Sequence, residues 1–349
     1  MERTISRRPP IAAVFIIVVG LLFVALFAIG QGGLIPIAGP CFADVGTCAN
    51  NPLKIGLFNG LIVALIAMGY TLVYGILQLI NFANGDVFMI GSMLTFFGVT
   101  FFGLTEGSGA AVLVPVLLGL LFAIMVLTAT LNASIERLAY RPLRNAPTLA
   151  TLISAIGMSF VLQNVGQIIL GPSPKSLPKI LPTNVVFSIG PVEFTFNELF
   201  VAAVTIPLLI ALAWFVRSTR QGKAMRATAQ DREAAGLMGI NVNRTISLTF
   251  LLAGALAGGA GLVVALFYGQ AWWFFGFPFG LLAFTAAVLG GIGNLTGAAL
   301  GGVVLGLIRA LTDYYIDPKW TNFVVFSILI LVLVFKPTGL LGAKQAEGS

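Results

Sequence analysis

Apolar runs too long for an ordinary protein core recur along this sequence, and one long polar stretch, residues 217–245, interrupts them. A bilayer-spanning helix needs about 20 mostly apolar residues, because the hydrocarbon core is about 30 Å thick. The chain is 58% hydrophobic and only 9% charged. A soluble domain carries roughly 25% charged residues. The sequence therefore reads as an all-α polytopic membrane protein with about 8–10 transmembrane helices in a single domain, 1–349.

The first span is expected at 11–29. Spans before the polar stretch fall at about 55–79, 86–103, 111–133, 149–170 and 198–216. Those after it fall at about 246–267, 279–292, 298–311 and 321–335. The short pair within 279–311 can also be read as a re-entrant hairpin, which leaves eight spans and the same orientation. Orientation follows from the basic residues. Arg3, Arg7 and Arg8 precede the first span, and Arg137, Arg141 and Arg144 follow the fourth. The stretch 217–245 holds Arg217, Arg220, Lys223, Arg226, Arg232 and Arg244, and Lys336 and Lys344 follow the last span. The alternate connections hold Lys54, Lys175, Lys179 and Lys319. Loops rich in Lys and Arg stay in the cytoplasm. This predicts an N-in/C-in topology with 217–245 as a central cytoplasmic loop. Spans two to five and seven to ten then run in opposite directions around that loop, as an inverted repeat requires.

The same asymmetry accounts for the net charge of +7 without a nucleic-acid partner. There is no histidine, which removes His-ligated metal sites and Ser-His or Cys-His catalysis. No G-x-x-x-x-G-K-[ST] occurs, so no nucleotide is bound through a P-loop. No catalytic residue, metal or cofactor is expected. Cys41 and Cys48 are the only cysteines and share a loop placed outside, where a disulfide is permitted and its formation is left open.

The link between the second and third spans is too short and too apolar for an ordinary loop. It contains Asn81, Asn84, Gly85 and Asp86, and reads as a break near or within the membrane. An acidic group at that depth costs about 2.5–3.5 kcal/mol on insertion scales, so it faces a partner or a cavity. Gly85 permits a backbone break, and a helix starting at Asp86 would offer free N–H groups to an anion. The simpler reading is that Asn84 and Asp86 cap the third span at the interface. Elsewhere, Gly254 with Gly258, and Gly293, Gly297 and Gly301, have small-xxx-small spacing, which lets helix backbones pack closely in lipid. Trp272 to Phe275 reads as an interfacial aromatic belt.

The centre of 217–245 also looks helical, over about 227–238. Ala224, Ala227, Ala234 and Ala235 are strong helix formers, and Gly239 before Asn241 is a stop. A cytoplasmic helix between spans is placed to touch a soluble partner, with Arg226, Asp231, Glu233, Ala234, Ala235 and Gly239 as candidate contacts.

Three blocks follow one another along the chain: AMGYTLVYGI running on to INFANGDVFMIG, then RATAQDREAAGLMGINVNRTISLTF, then AFTAAVLGGIGNLTGAALGGVVLG. In that order they resemble the Liv-type permeases of branched-chain amino acid ABC importers. Where the family usually has His-Gly-Glu, this chain has Asn84-Gly85-Asp86. Glu233-Ala234-Ala235 with Gly239 resembles the EAA-type loop that docks on the ATPase, without its closing Leu-Pro. The resemblance implies an inner-membrane permease that itself hydrolyses nothing. It implies two cytoplasmic ATPase subunits, a second permease subunit and an extracytoplasmic binding protein as partners, and small amino acids as cargo. Related importers carry urea or short amides. An ion-coupled secondary transporter, with Asp86 as the relay, is the competing class.

Overall fold

The computed structural model describes residues 50–78, 81–105, 110–144, 146–182, 185–189, 192–336 and 338–342. The expected first span, 11–29, and the pair Cys41 and Cys48 lie outside the described residues. Eleven α-helices are present among the described residues. In chain order they are α1 (Asn50–Leu77), α2 (Ala83–Phe101), α3 (Ala110–Ile135), α4 (Thr148–Leu170), α5 (Phe196–Ser218), α6 (Arg220–Gln230), α7 (Arg232–Leu237), α8 (Val242–Tyr268), α9 (Gly276–Gly290), α10 (Leu295–Tyr315) and α11 (Thr321–Phe335). A π-helical turn, Glu136–Tyr140, extends α3. Among the described residues, strand is confined to two antiparallel two-stranded pairs: β1 (Lys175–Ser176) with β4 (Gln270–Ala271), and β2 (Val185–Ile189) with β3 (Val192–Thr195).

Among the described residues, eight helical segments are long and apolar enough to cross a membrane. α2, which opens on Asn84 and Asp86, is not among them. The protein is a multi-pass membrane protein built on helices.

The bundle has an enclosed centre and an apolar periphery. α1 and α8 form the centre, with 83% and 78% of their most apolar windows buried. α3, α4, α5 and α11 lie outside and turn Phe122, Phe160, Ile168, Trp214 and Leu333 outwards. An oily exterior suits a bilayer, whose hydrocarbon offers polar groups no partner. The buried threonines follow the same logic. Thr95, Thr128, Thr205, Thr249 and Thr312 each donate to the carbonyl four residues back, so no hydroxyl in this set is left to solvent.

Glycine sets how closely the central helices approach. A Cβ on Gly60 of α1 would stand 2.8 Å from Val303 Cα of α10, and Gly306 faces Gly60 in return. On α8, Gly254 meets Thr128 and Asn132 of α3, Gly258 meets Thr128 and Gly91, and Gly261 meets Phe88 of α2. Gly297 and Gly301 of α10 abut Gly290 and Ala286 of α9. Gly293 departs from the packing role expected of it. It lies in the α9–α10 turn with φ +92°, and a Cβ there would meet nothing within 4 Å. Its place in the three-glycine spacing is accidental, because the helix only resumes at Leu295.

Replacing Gly60 with Val should therefore force α1 off α10, at about 1–3 kcal/mol for overpacking. Gly157→Ala, where a Cβ meets nothing, should leave stability at or above the parent value. Melting of the two purified variants in detergent measures the difference.

Candidate functional site: a closed polar break between α1 and α2

α1 ends at Leu77, and Gln78 takes φ +55°, a conformation few residues other than glycine adopt. Asn81 and Phe82 lead into α2. Asn84 N donates to Asn81 O at 3.2 Å and Gly85 N to Phe82 O at 3.3 Å. The helix starts at Ala83, three residues before the start expected at Asp86.

The turn is enclosed. Asn81, Asn84 and Asp86 are 3%, 0% and 1% exposed. Distant elements converge on them. Tyr140, on the π-helical turn, donates its hydroxyl to Asn81 Oδ1 at 2.6 Å. Tyr70 of α1 accepts from Gly85 N at 3.1 Å. Ser159 of α4 donates to Asp86 Oδ2 at 2.5 Å, and Gln163, one turn on, donates to Ser159 Oγ at 3.1 Å. On the remaining side stands α9. A Cβ on Gly85 would lie 2.5 Å from Gly276 O and 2.8 Å from Gly280 Cα.

These contacts change two expectations. Neither Asn84 nor Asp86 caps α2: Phe82 holds the cap position and no side chain caps it. Nor are the amides of Asn84 and Gly85 free for an anion, because both are already engaged. Gly85 is inside a regular helix, so its small size serves the approach to α9, and the backbone break belongs to Gln78.

Several buried groups remain uncommitted: Asn81 Nδ2, both amide atoms of Asn84, and Asp86 Oδ1. Each buried polar atom without a partner costs about 1–3 kcal/mol. The cluster thus offers acceptors (Asp86 Oδ1, Asn84 Oδ1) beside donors (Asn81 Nδ2, Asn84 Nδ2), with no basic side chain hydrogen-bonded to Asp86 among the described residues. It is closed, for all three side chains are buried, and the cavity beside Asn81 measures about 10 Å³, the size of one water.

Sequence reasoning missed Tyr70, Tyr140, Ser159 and Gln163. A signal existed for two of them: Ser159 and Gln163 are four apart, on one face of α4. A second buried acid was also missed. Glu136 is 0% exposed, pairs with Arg144 and accepts from Ser247 Oγ at 2.7 Å. Burial draws the Arg144 guanidinium below its ordinary value, and Glu136 opposes that shift.

The polar stretch forms two helices where one was expected. Asp231 divides them, and its carboxylate caps α7 by accepting from Glu233 N at 2.8 Å and Ala234 N at 3.0 Å. Gly239 follows with φ +81°. Glu233 and Ala234 are exposed, whereas Ala235 is buried against the bundle. Arg226 folds back onto Val216 O at the end of α5. Trp272 and Trp273 donate their indole N–H groups to Pro172 O, at 3.2 and 3.0 Å, fastening the 171–182 connector to the start of α9.

A family model described as "Branched-chain amino acid transport system / permease component" matches residues 53–333. The chain belongs to that family. The permease is 42% identical over 299 residues to the high-affinity branched-chain amino acid transport system permease protein BraD of Pseudomonas aeruginosa, covering 83% of this chain and 96% of that protein. It is likewise 42% identical over 300 residues to LivH of Escherichia coli K12, with the same shares covered. A more distant relative, the autoinducer 2 import system permease protein LsrC of Yersinia pseudotuberculosis, is 29% identical over 313 residues, covering 84% of this chain and 81% of that protein.

Ser159→Ala should leave Asp86 Oδ2 without its donor and lower the permease's stability by about 1–3 kcal/mol. Gly85→Val should press α2 away from α9 and cut transport more than membrane insertion. Detergent melting and insertion yield, set beside uptake, check both; normal uptake in Gly85→Val would sink the second.

Proposed function

We propose that this permease is the membrane-spanning subunit of an ABC importer for branched-chain or other small amino acids. The family and the 42% identity to BraD and LivH support that reading. The observation that carries the site assignment is the enclosed break, whose uncommitted donors and acceptors match the two ends of a zwitterion. An amino acid's ammonium group suits Asp86 Oδ1 and Asn84 Oδ1, and its carboxylate suits the amide donors. Access requires α1, α2 and α9 to part, because the site is shut in this conformation.

On this reading the end carrying α6 and α7 faces the cytoplasm of the inner membrane, following the positive-inside rule. Two ATPase subunits dock there on the α6–α7 loop and hydrolyse ATP, a second permease subunit completes the path, and a binding protein delivers the cargo opposite. The receiving surface is the 171–197 connector, where Lys175 and Lys179 are exposed for acidic partner residues.

Reconstituted with ATPases and binding protein, the permease should take up labelled leucine in an ATP-dependent manner, and labelled urea or short amides should not accumulate. Uptake that persists without ATP and collapses with the membrane potential would instead mark a secondary transporter.

Glu233 stands exposed beside Asp231, ready for an Arg or Lys of the ATPase. Losing one partner of a desolvated charge pair costs about 2–5 kcal/mol at an interface. Val at Gly239 would be strained at φ +81°. Glu233→Lys and Gly239→Val should both reduce ATPase co-purification and uptake while insertion stays intact. Full yields of ATPase and normal uptake in both variants would refute docking at this loop.

A further inference from the structure

Arg232 is the first residue of α7, but its side chain reaches away from that helix. Its Nη2 donates to Ile76 O and to Leu77 O, each at 2.9 Å. Those carbonyls close α1, and the last four carbonyls of any helix lack partners within it. The guanidinium also places positive charge against the negative end of the α1 dipole. The next residue, Gln78, carries the left-handed turn, and Asn81 follows three residues on. The polar loop therefore grips α1 at its last rigid turn before the break.

Space beside the grip makes it a movable one. A polar cleft of about 510 Å³ opens beside the contact between the end of α1 and α6–α7, lined among others by Gln78, Arg144, Thr151, Gln230, Arg232 and Glu233. Above the cleft, α1 is held firmly along α10 through Gly60 and Gly306. Displacement of α7 is thus free to pull on the one segment of α1 that leads into Gln78, while the body of α1 stays in place.

We propose that Arg232 is a positioning residue that transmits movement of the α6–α7 loop to the α1–α2 break, so that ATP-driven motion opens the closed polar site. The proposal rests on the reading of that loop as the ATPase-docking element. It assigns different tasks to neighbouring residues, with Glu233 facing the partner and Arg232 facing the gate.

The test compares Arg232→Ala, Arg232→Gln and Arg232→Lys in the assembled complex, reconstituted in liposomes with ATPases and binding protein. Arg232→Ala and Arg232→Gln should retain the ATPases in parental amount and hydrolyse ATP, with uptake per ATP hydrolysed lowered roughly ten-fold, the size of a typical coupling between sites. Arg232→Lys, which keeps a cationic donor, should recover part of the loss. A role confined to folding would not separate hydrolysis from transport in this way. Spin labels on Gln78→Cys and Lys223→Cys, with Cys41 and Cys48 replaced by Ser, provide a second readout, since both labelled positions are exposed. Their separation should stay constant through the ATP cycle when Arg232 is present and vary when it is Ala.

Parental uptake per ATP in Arg232→Ala overturns the proposal. So does a loss of bound ATPase in parallel with uptake, equal in all three variants, because that outcome makes Arg232 part of docking or folding. Failure of the docking reading looks different. There Glu233→Lys and Gly239→Val keep both ATPases and uptake, and the proposal falls with its input.

Discussion

Hydrocarbon gives a polar group nothing to bond to, so each one inside the bilayer must find its partner within the protein. Much of this bundle answers to that constraint. Thr95, Thr128 and Thr205 turn onto their own helices. The α1–α2 connection leaves regular helix at Gln78, and its freed groups are met by a tyrosine on each side: Tyr70 for Gly85 N, Tyr140 for Asn81 Oδ1. Asp86 depends on Ser159, which is itself held by Gln163. A break in helical structure is tolerated inside a membrane protein where protein surrounds it, as it does here.

The same enclosure leaves both side-chain amide atoms of Asn84 unpaired and Asp86 half paired. A core selected only for stability would favour apolar groups of the same shape in their place, as removal of both partners of a buried polar contact can be nearly neutral. Retaining them in a shut cavity is consistent with a site that is completed by cargo when the helices part.

Both ends of the bundle lead mechanically to this point. From the basic end, Arg232 holds the last turn of α1 just before Gln78. From the other end, β1 pairs with β4, and Trp272 and Trp273 bind Pro172, a few residues before Gly276 meets Asp86 and Gly85. A disturbance at either surface reaches the break through a handful of contacts.

What the sequence by itself determined is what depends on neighbouring residues. Helix length follows from apolar runs, so the nine expected spans within the described region correspond to α1–α5 and α8–α11 within a few residues. The interruption near Asn81–Asp86 and the stop at Gly239 were legible because polar and glycine residues act on their own stretch of backbone. Only the tertiary structure decided what meets what. Ser159 lies 73 residues from Asp86, Tyr140 lies 59 from Asn81, and Arg232 lies 156 from Ile76. The roles of Gly85 and Gly293 were decided there too, one as a contact with α9 and the other as a turn. Periodicity says which residues share a helix face. Which helix that face meets is set by the packing of the whole bundle, and in a sequence this uniformly apolar, many pairings satisfy the local pattern equally well.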